Sequence, residues 1–353
     1  MTERDLLIEV KDVKTYFFLD EGTVRAVDGC SFDILRGQTL GVVGESGCGK
    51  SVTAQSILRI VPPPGRIVSG EIIFHRKEKG NQASSVVEQV RLHELDPRGP
   101  EIREIRGNEI ALIFQEPMTS LSPVHTIGDQ IMEAIILHQK VDKEEARKRA
   151  IDVLSRVGLP KPEQRVDAYP HQLSGGMRQR AMIAMALSCT PSMLIADEPT
   201  TALDVTTEAQ ILDLMRKLQR DIGMAIMFIT HNLGVIAEMC NEVVVMYLGK
   251  QVERADVDSV FYNPQHPYTQ ALLRSIPRIG QKSRERLESI KGMVPDPYSI
   301  PPGCPFHPRC AQYMPGICDR DQEIPFYQIS EHQWARCYLY DQDVKKQKAQ
   351  TEG

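Results

Sequence analysis

The stretch GESGCGKS, residues 44–51, decides how the rest of the chain is read. It fits the pattern G-x-x-x-x-G-K-[ST], with Gly44, Gly49, Lys50 and Ser51 at the fixed places. The spacing has a chemical reason. Backbone N–H groups of such a loop point inward and cradle the phosphates of a nucleotide, and the helix that follows offers its positive end. Glu45, Ser46, Gly47, Cys48 and Val52 complete the cradle; Lys50 reaches the β- and γ-phosphates, and the Ser51 hydroxyl ligates Mg2+. Cys48 is read as a backbone donor rather than a reactive thiol, although a thiol at a helix N-terminus has a route to a lowered pKa. Before the loop, QTLGVVG (38–44) reads as a buried strand, and a helical pattern begins at Lys50.

Outward from this loop, strands and helices alternate. The apolar runs of residues 6–36, with LDEG between them, predict an antiparallel β element. SMLIAD (192–197) and AIMFIT (225–230) predict two more buried strands, with a helix around 206–220 between them. Helical periodicity also runs from Ile127 to about Val157. Such alternation predicts an α/β fold with a largely parallel sheet. Residues 75–109 are polar and predict a loop or small insertion. From about 255 to 303 the chain turns proline-rich, which predicts a connector to a small cysteine-bearing module, and a polar tail begins at Asp341. The 353 residues carry a net charge of −5 and no long basic block, so no nucleic-acid partner is expected. The N-terminus MTERDLLIEV lacks the apolar core of a secretory signal, and no apolar run approaches the roughly 20 residues that a membrane helix needs. Membrane work, if any, would go through a partner.

A second acidic element belongs with the loop. MLIADEPT places Asp197 and Glu198 at the end of an apolar strand, where one carboxylate can hold Mg2+ and its neighbour can polarise a water. LSGGMRQR (173–180) then puts two glycines ahead of a good helical run, so Ser174 and the Gly175 and Gly176 amides can meet a phosphate at a helix start.

With this last motif the chain resembles the nucleotide-binding subunit of an ABC transporter over about residues 5–255, with a helical subdomain at about 115–180. Gln115 in IFQEP matches that family's Q-loop, TALD (201–204) its D-loop, and His231 in ITHNLG its switch histidine. The resemblance implies an ABC-type P-loop ATPase cassette: a mostly parallel core sheet, an antiparallel β subdomain and a helical subdomain. It implies that Tyr16, with Phe17 as the fallback, stacks on adenine, that Glu198 is the base or water-positioner, and that His231 orients it. Lys50 counts with these two among the catalytic residues. It implies that Ser51, Gln115 and Asp197 surround Mg2+, and that Ser174, Gly175 and Gly176 act in trans on ATP held by a second cassette. A chromosome-type ABC ATPase would need a long coiled coil between Lys50 and Ser174, and a ribosome-type one a second cassette; neither is present. Intact Glu198 and His231 speak against an ATP-binding regulator without hydrolysis.

Within the family, NPQHPYTQALLRSIP, YPHQLSGGMRQR and IFQEPMTSLSPVHTIGDQI resemble the ATPase subunits of dipeptide/oligopeptide importers, whose relatives also carry nickel. Glu116 and Asn232 stand where aspartate is commoner, and the stretch around 79–92 is longer than the branch suggests, as a solvated loop would be. The resemblance implies two transmembrane permease subunits, an external solute-binding protein, a second and related ATPase chain, and a place on the cytoplasmic face of the cell membrane. Residues 256–340 hold four of the eight cysteines, Cys304, Cys310, Cys318 and Cys337. Disulfides are rare in the reducing cytosol where an ATPase works, and the spacing lacks the tight knuckles of structural zinc sites. Four loosely spaced thiolates suit an iron–sulfur cluster as well as zinc. The branch's GC-x-F-x-P-RC ending implies a [4Fe–4S] cluster, with Zn2+ as the alternative. His307 reads as a hydrogen-bonding residue before it reads as a ligand.

Overall fold

The computed structural model describes residues 5–77, 87–115, 120–201, 203–275 and 290–344. Among these residues the strands are β1 (Leu6–Leu19), β2 (Gly22–Leu35), β3 (Thr39–Val43), β4 (Gly65–Lys77), β5 (Val87–Arg91), β6 (Ile110–Ile113), β7 (Met193–Asp197), β8 (Ala225–Thr230), β9 (Glu242–Tyr247), β10 (Lys250–Asp256), β11 (Tyr327–Ser330) and β12 (Gln333–Ala335). An antiparallel sheet takes the order β2-β1-β4-β5, and a second sheet the order β11-β12-β10-β9-β3-β8-β7-β6.

The second sheet is parallel from β9 to β6. Every residue of β3, β7 and β8 is buried, as expected for strands covered on both faces. Alternation along these strands feeds two cores. Leu40, Val42, Ile195 and Met227 join one with the antiparallel sheet and the helix Lys50–Ile57. Val43, Ala196 and Phe228 join the other with the helical subdomain. The loop after β3 and the acidic end of β7 therefore emerge on the same edge, separated in the sheet only by β8.

Three expectations are sharpened. The described residues of 75–109 form more than a loop. β4 extends to Lys77, β5 pairs with it, and the helix Pro100–Ile105 follows. Val90, Leu92, Ile102 and Ile105 are buried there at wide spacing, and the polar residues between them hid the pattern. The helical periodicity from 127 to about 157 is carried by two helices, Ile127–Gln139 and Lys143–Arg156. Lys140 adopts a left-handed φ of 53° at the end of the first, and the Asp142 side chain accepts from the Glu145 N–H to start the second. The stretch 255–303 is more than a connector: it carries helices Val257–Tyr262 and Pro267–Arg274, with Tyr268 fully buried. Beyond it, β11 and β12 extend the main sheet through β10, and Cys304, Phe306 and Cys318 lie in the same core as the helical subdomain. Glu116, Ala202 of the TALD motif, residues 79–86 of the long stretch, residues 276–289 of the proline-rich stretch and residues 345–353 of the tail lie outside the described residues.

Candidate functional site

The loop of residues 44–51 closes over a cavity of about 240 Å3. Two glycines are required by close approach. At Gly49 φ is +103°, and a Cβ there would lie 2.0 Å from the Ala26 carbonyl oxygen; at Gly44 it would lie 2.2 Å from that of Met246. The Lys50 ammonium, nearly buried, donates to the Gly44 carbonyl at 2.8 Å and the Glu45 carbonyl at 3.2 Å. It thus spans the loop mouth, poised to exchange these carbonyls for phosphate oxygens. Cys48 is buried, and burial pushes its thiol up despite nearby Lys50, so the reactive-thiol reading fails.

Asp197 and Glu198 sit together at the end of β7 but in different electrostatic settings. Burial pushes the Asp197 carboxyl above the usual range, with the Ser51 hydroxyl and Lys50 opposing. Its Oδ1 is buried with no hydrogen-bond partner among the described residues. A buried carboxylate oxygen left bare beside a serine hydroxyl fits the pair to a Mg2+ ion. Glu198 is lowered: burial pushes it up, but hydrogen bonds from His231 and Thr201 outweigh burial. Its Oε1 lies 3.2 Å from His231 Nδ1, and its Oε2 accepts from Gln115 Nε2 at 3.1 Å and Thr201 Oγ1 at 3.0 Å. Glu198 also has a φ of +47°, unusual for a residue with a side chain, and its N–H donates to the Ile229 carbonyl of β8. Neighbouring carboxyls pushed in opposite directions are a recurrent sign of divided acid–base roles.

Gln115 is thus brought onto Glu198, and both line the cavity with Lys50 and Ser51. Tyr16 is not among the lining residues. Its hydroxyl donates to Asp28 at 2.7 Å, and the Arg25 guanidinium lies 5.9 Å from its ring centre. Phe17 packs near Gly65 and Val61 instead. Val24, Arg25 and Ala26 line the cavity on that side, and Pro297 and Ile300 line it as well. No sequence signal pointed to these C-terminal residues. Ser174 caps the helix Gly175–Leu187, its Oγ accepting from the Met177 N–H at 3.4 Å. Ser174 and Gly175 are exposed, and no signature residue lines the cavity. The same helix is tied to the acidic strand end, because the Gln179 amide donates to the Pro199 carbonyl.

The four C-terminal cysteines line one small cavity of about 10 Å3, room for about one water molecule. Burial, helped by the other thiols, pushes Cys304 and Cys337 each up to about 12. Among the described residues no group of three His, Cys, Asp or Glu side chains has metal-holding geometry. The thiols share a site without a ready-made coordination shell. His307 Nδ1 lies 2.9 Å from the Cys304 carbonyl oxygen, in keeping with a hydrogen-bonding role. His266, missed in the sequence, also lines this cavity; burial pushes its ring down to about 3, and its Nε2 has no hydrogen-bond partner among the described residues. The HPYT segment thereby joins two places. His266 faces the thiols, while the Tyr268 hydroxyl accepts from the Glu45 N–H of the phosphate loop at 2.9 Å.

A P-loop, an acidic strand end carrying a hydrogen-bonded glutamate, and a separate exposed serine–glycine helix start define an ATP-binding cassette. Residues 27–201 match the family model for ABC transporters, and residues 252–318 match the oligopeptide/dipeptide transporter C-terminal region. The chain is 47% identical over 337 residues to the dipeptide transport ATP-binding protein DppD of Bacillus subtilis, covering 95% of each. It is 46% identical over 341 residues to the oligopeptide transport ATP-binding protein OppD of the same organism, covering 96% of this chain and 90% of that one. A probable peptide ABC transporter ATP-binding protein of Sinorhizobium fredii is 49% identical, covering 96% of this chain and 97% of its own. Among solved structures, the dimeric post-hydrolysis cassette MJ0796 with ADP and Pi aligns at a TM-score of 0.60 and 26% identity, covering 71% of this chain and 99% of that one. The chain belongs to the ABC transporter ATP-binding subunits, in the oligopeptide/dipeptide branch.

Proposed function

We propose that this chain hydrolyses ATP to drive import of di- and oligopeptides through a membrane complex. The observation that carries the reading is Glu198, held by Gln115, Thr201 and His231 at the mouth of the phosphate loop. In this reading the loop amides and Lys50 bind the triphosphate, and Glu198 positions and deprotonates the attacking water. His231 holds Glu198 in place, and Gln115 links its setting to the membrane subunits. Tyr16, with Phe17 as the fallback, would stack on adenine. Ser51 and Asp197 would hold Mg2+ with Gln115 nearby, and the ion would neutralise charge on the β- and γ-phosphates. Exposure of Ser174 and Gly175 supports the use of Ser174, Gly175 and Gly176 on a second cassette's ATP, since such an end offers unsatisfied N–H groups.

Among the described residues no helix is long and apolar enough to cross a membrane. Two permease subunits would supply that, with an external binding protein, a related second ATPase, and a site on the cytoplasmic face. The names of the relatives support peptides as cargo, and nickel is the alternative. Uptake by cells carrying the intact complex separates them: dipeptides and longer peptides are expected to enter, and uptake of Ni2+ alone would overturn the peptide reading.

The four thiols support a cofactor of soft-metal type, and our reading is a [4Fe–4S] cluster on Cys304, Cys310, Cys318 and Cys337, with Zn2+ as the alternative. Such a group would supply the positive charge that turns raised thiols into thiolates, and with it part of the folding energy of the segment. Anaerobically purified protein is expected to contain iron and acid-labile sulfide in about equal amounts, near four of each per chain, as four-thiolate clusters do. Zinc at unit stoichiometry without iron would replace the cluster with the alternative.

A further inference from the structure

Glu45, the second residue of the phosphate loop, is held from three sides. Its N–H donates to the Tyr268 hydroxyl at 2.9 Å, and its carbonyl accepts from Lys50 at 3.2 Å. Its carboxylate is gripped by Arg309, 264 residues away, through Nη1 to Oε2 at 2.7 Å and Nη2 to Oε1 at 3.1 Å. This is a two-pronged fork, the strongest geometry a guanidinium offers a carboxylate. The Arg309 side chain is nearly dry at 4% exposed, while that of Glu45 is 27% exposed.

Arg309 is itself seated with little freedom. Its guanidinium carbon lies 5.8 Å from the Tyr247 ring centre and 6.0 Å from that of Phe306, and Nη1 donates to the Tyr247 hydroxyl at 3.3 Å. Tyr247, Tyr268 and Phe306 pack on one another with centroids 4.7 to 5.3 Å apart. The residue ends the single turn His307–Arg309, closed by the Arg309 N–H on the Phe306 carbonyl and the Cys310 N–H on the His307 carbonyl. A C-terminal segment packed on the same core as the helical subdomain thus presents one seated cation to the phosphate loop.

We propose that Arg309 is a positioning residue for ATP binding: it neutralises Glu45 and holds the first turn of the phosphate loop in its nucleotide-accepting shape. The need is electrostatic. Glu45 places a negative charge in a loop built to receive a polyanion, and in a site shielded from water like charges repel more strongly than in bulk solvent. The fork on Arg309 cancels that charge and keeps the side chain on the aromatic side of the loop. A hydrophobic contact in place of the pair would anchor the C-terminal segment equally well without affecting nucleotide charge. The proposal rests on the ATPase reading above and extends it to a residue of the C-terminal region.

The test is equilibrium ATP binding and steady-state hydrolysis by the full chain. Arg309→Ala is expected to raise the Kd for ATP by about tenfold or more, and KM with it, while kcat at saturation stays within about twofold. Arg309→Lys keeps the charge without the fork and is expected to fall between. Adding Glu45→Gln to Arg309→Ala removes the stranded carboxylate, so the double variant is expected to bind ATP about as well as Glu45→Gln alone. An unchanged Kd in Arg309→Ala overturns the proposal. So does a loss of the same size in the wild-type and Glu45→Gln backgrounds, the mark of a strut that holds the segment without acting through the charge. If Arg309→Ala does not fold, the same comparison made with Arg309→Lys decides. Wild-type protein that binds ATP no better than Lys50→Ala would sink the ATPase reading itself, a separate outcome.

Discussion

Glu198→Gln is expected to bind ATP about as tightly as the wild type and to hydrolyse it at least about 100-fold more slowly, the usual loss when a general base is removed. The amide has the shape of the carboxylate and can still lie against Thr201 and Gln115, so the mouth of the loop keeps its form. What it loses is the charge. Glu198 is kept ionised by His231 and Thr201 against its own burial, and a neutral amide cannot accept the proton of the attacking water. Asp197 is not expected to take over, since it lies against the Ser51 hydroxyl and in the proposed reading holds Mg2+ with it. ATP binding and single-turnover hydrolysis, measured side by side, check the split. Wild-type turnover in this variant would move the base elsewhere.

Gly49→Ala is expected to abolish measurable ATP binding and to lower thermal stability. At φ +103° an alanine is strained, at a cost of about 1–3 kcal/mol for such backbone. The larger cost is steric. The new methyl would sit 2.0 Å from the Ala26 carbonyl oxygen, which belongs to β2 and has no flexible end to swing aside. Either the loop or the antiparallel sheet must shift, and the cradle opens. Gly37→Ala is the comparison, because its φ of +68° carries the backbone strain while no atom lies within 4 Å of the added Cβ. That variant is expected to lose about 1–2 kcal/mol of stability and retain ATP binding. Equal ATP affinity in the two variants would show that the Ala26 contact does not shape the loop.

Much of the cassette is legible from contiguous residues, for a physical reason. A triphosphate is smaller than one turn of loop and helix, so the residues that hold it must be neighbours in the chain, and GESGCGKS is such a run. The strands β3, β7 and β8 are buried on both faces, which makes them nearly unbroken apolar runs. Where burial is one-sided or widely spaced, reading fails. In β5 Val90 goes to the core while Glu88, Gln89 and Arg91 stay exposed, and those polar neighbours masked the strand.

From the sequence alone came the phosphate loop, the acidic strand end, the serine–glycine helix start and the parallel sheet, each specified by short-range spacing. Only the tertiary structure decided which distant groups meet: Arg309 on Glu45 across 264 residues, His266 beside the four thiols, Arg25 over Tyr16, and Pro297 and Ile300 in the wall of the phosphate-loop cavity. The C-terminal contacts among them depend on how β10, β11 and β12 carry that segment round to the edge of the sheet. A side chain carries no local mark of a partner that only strand order brings to it.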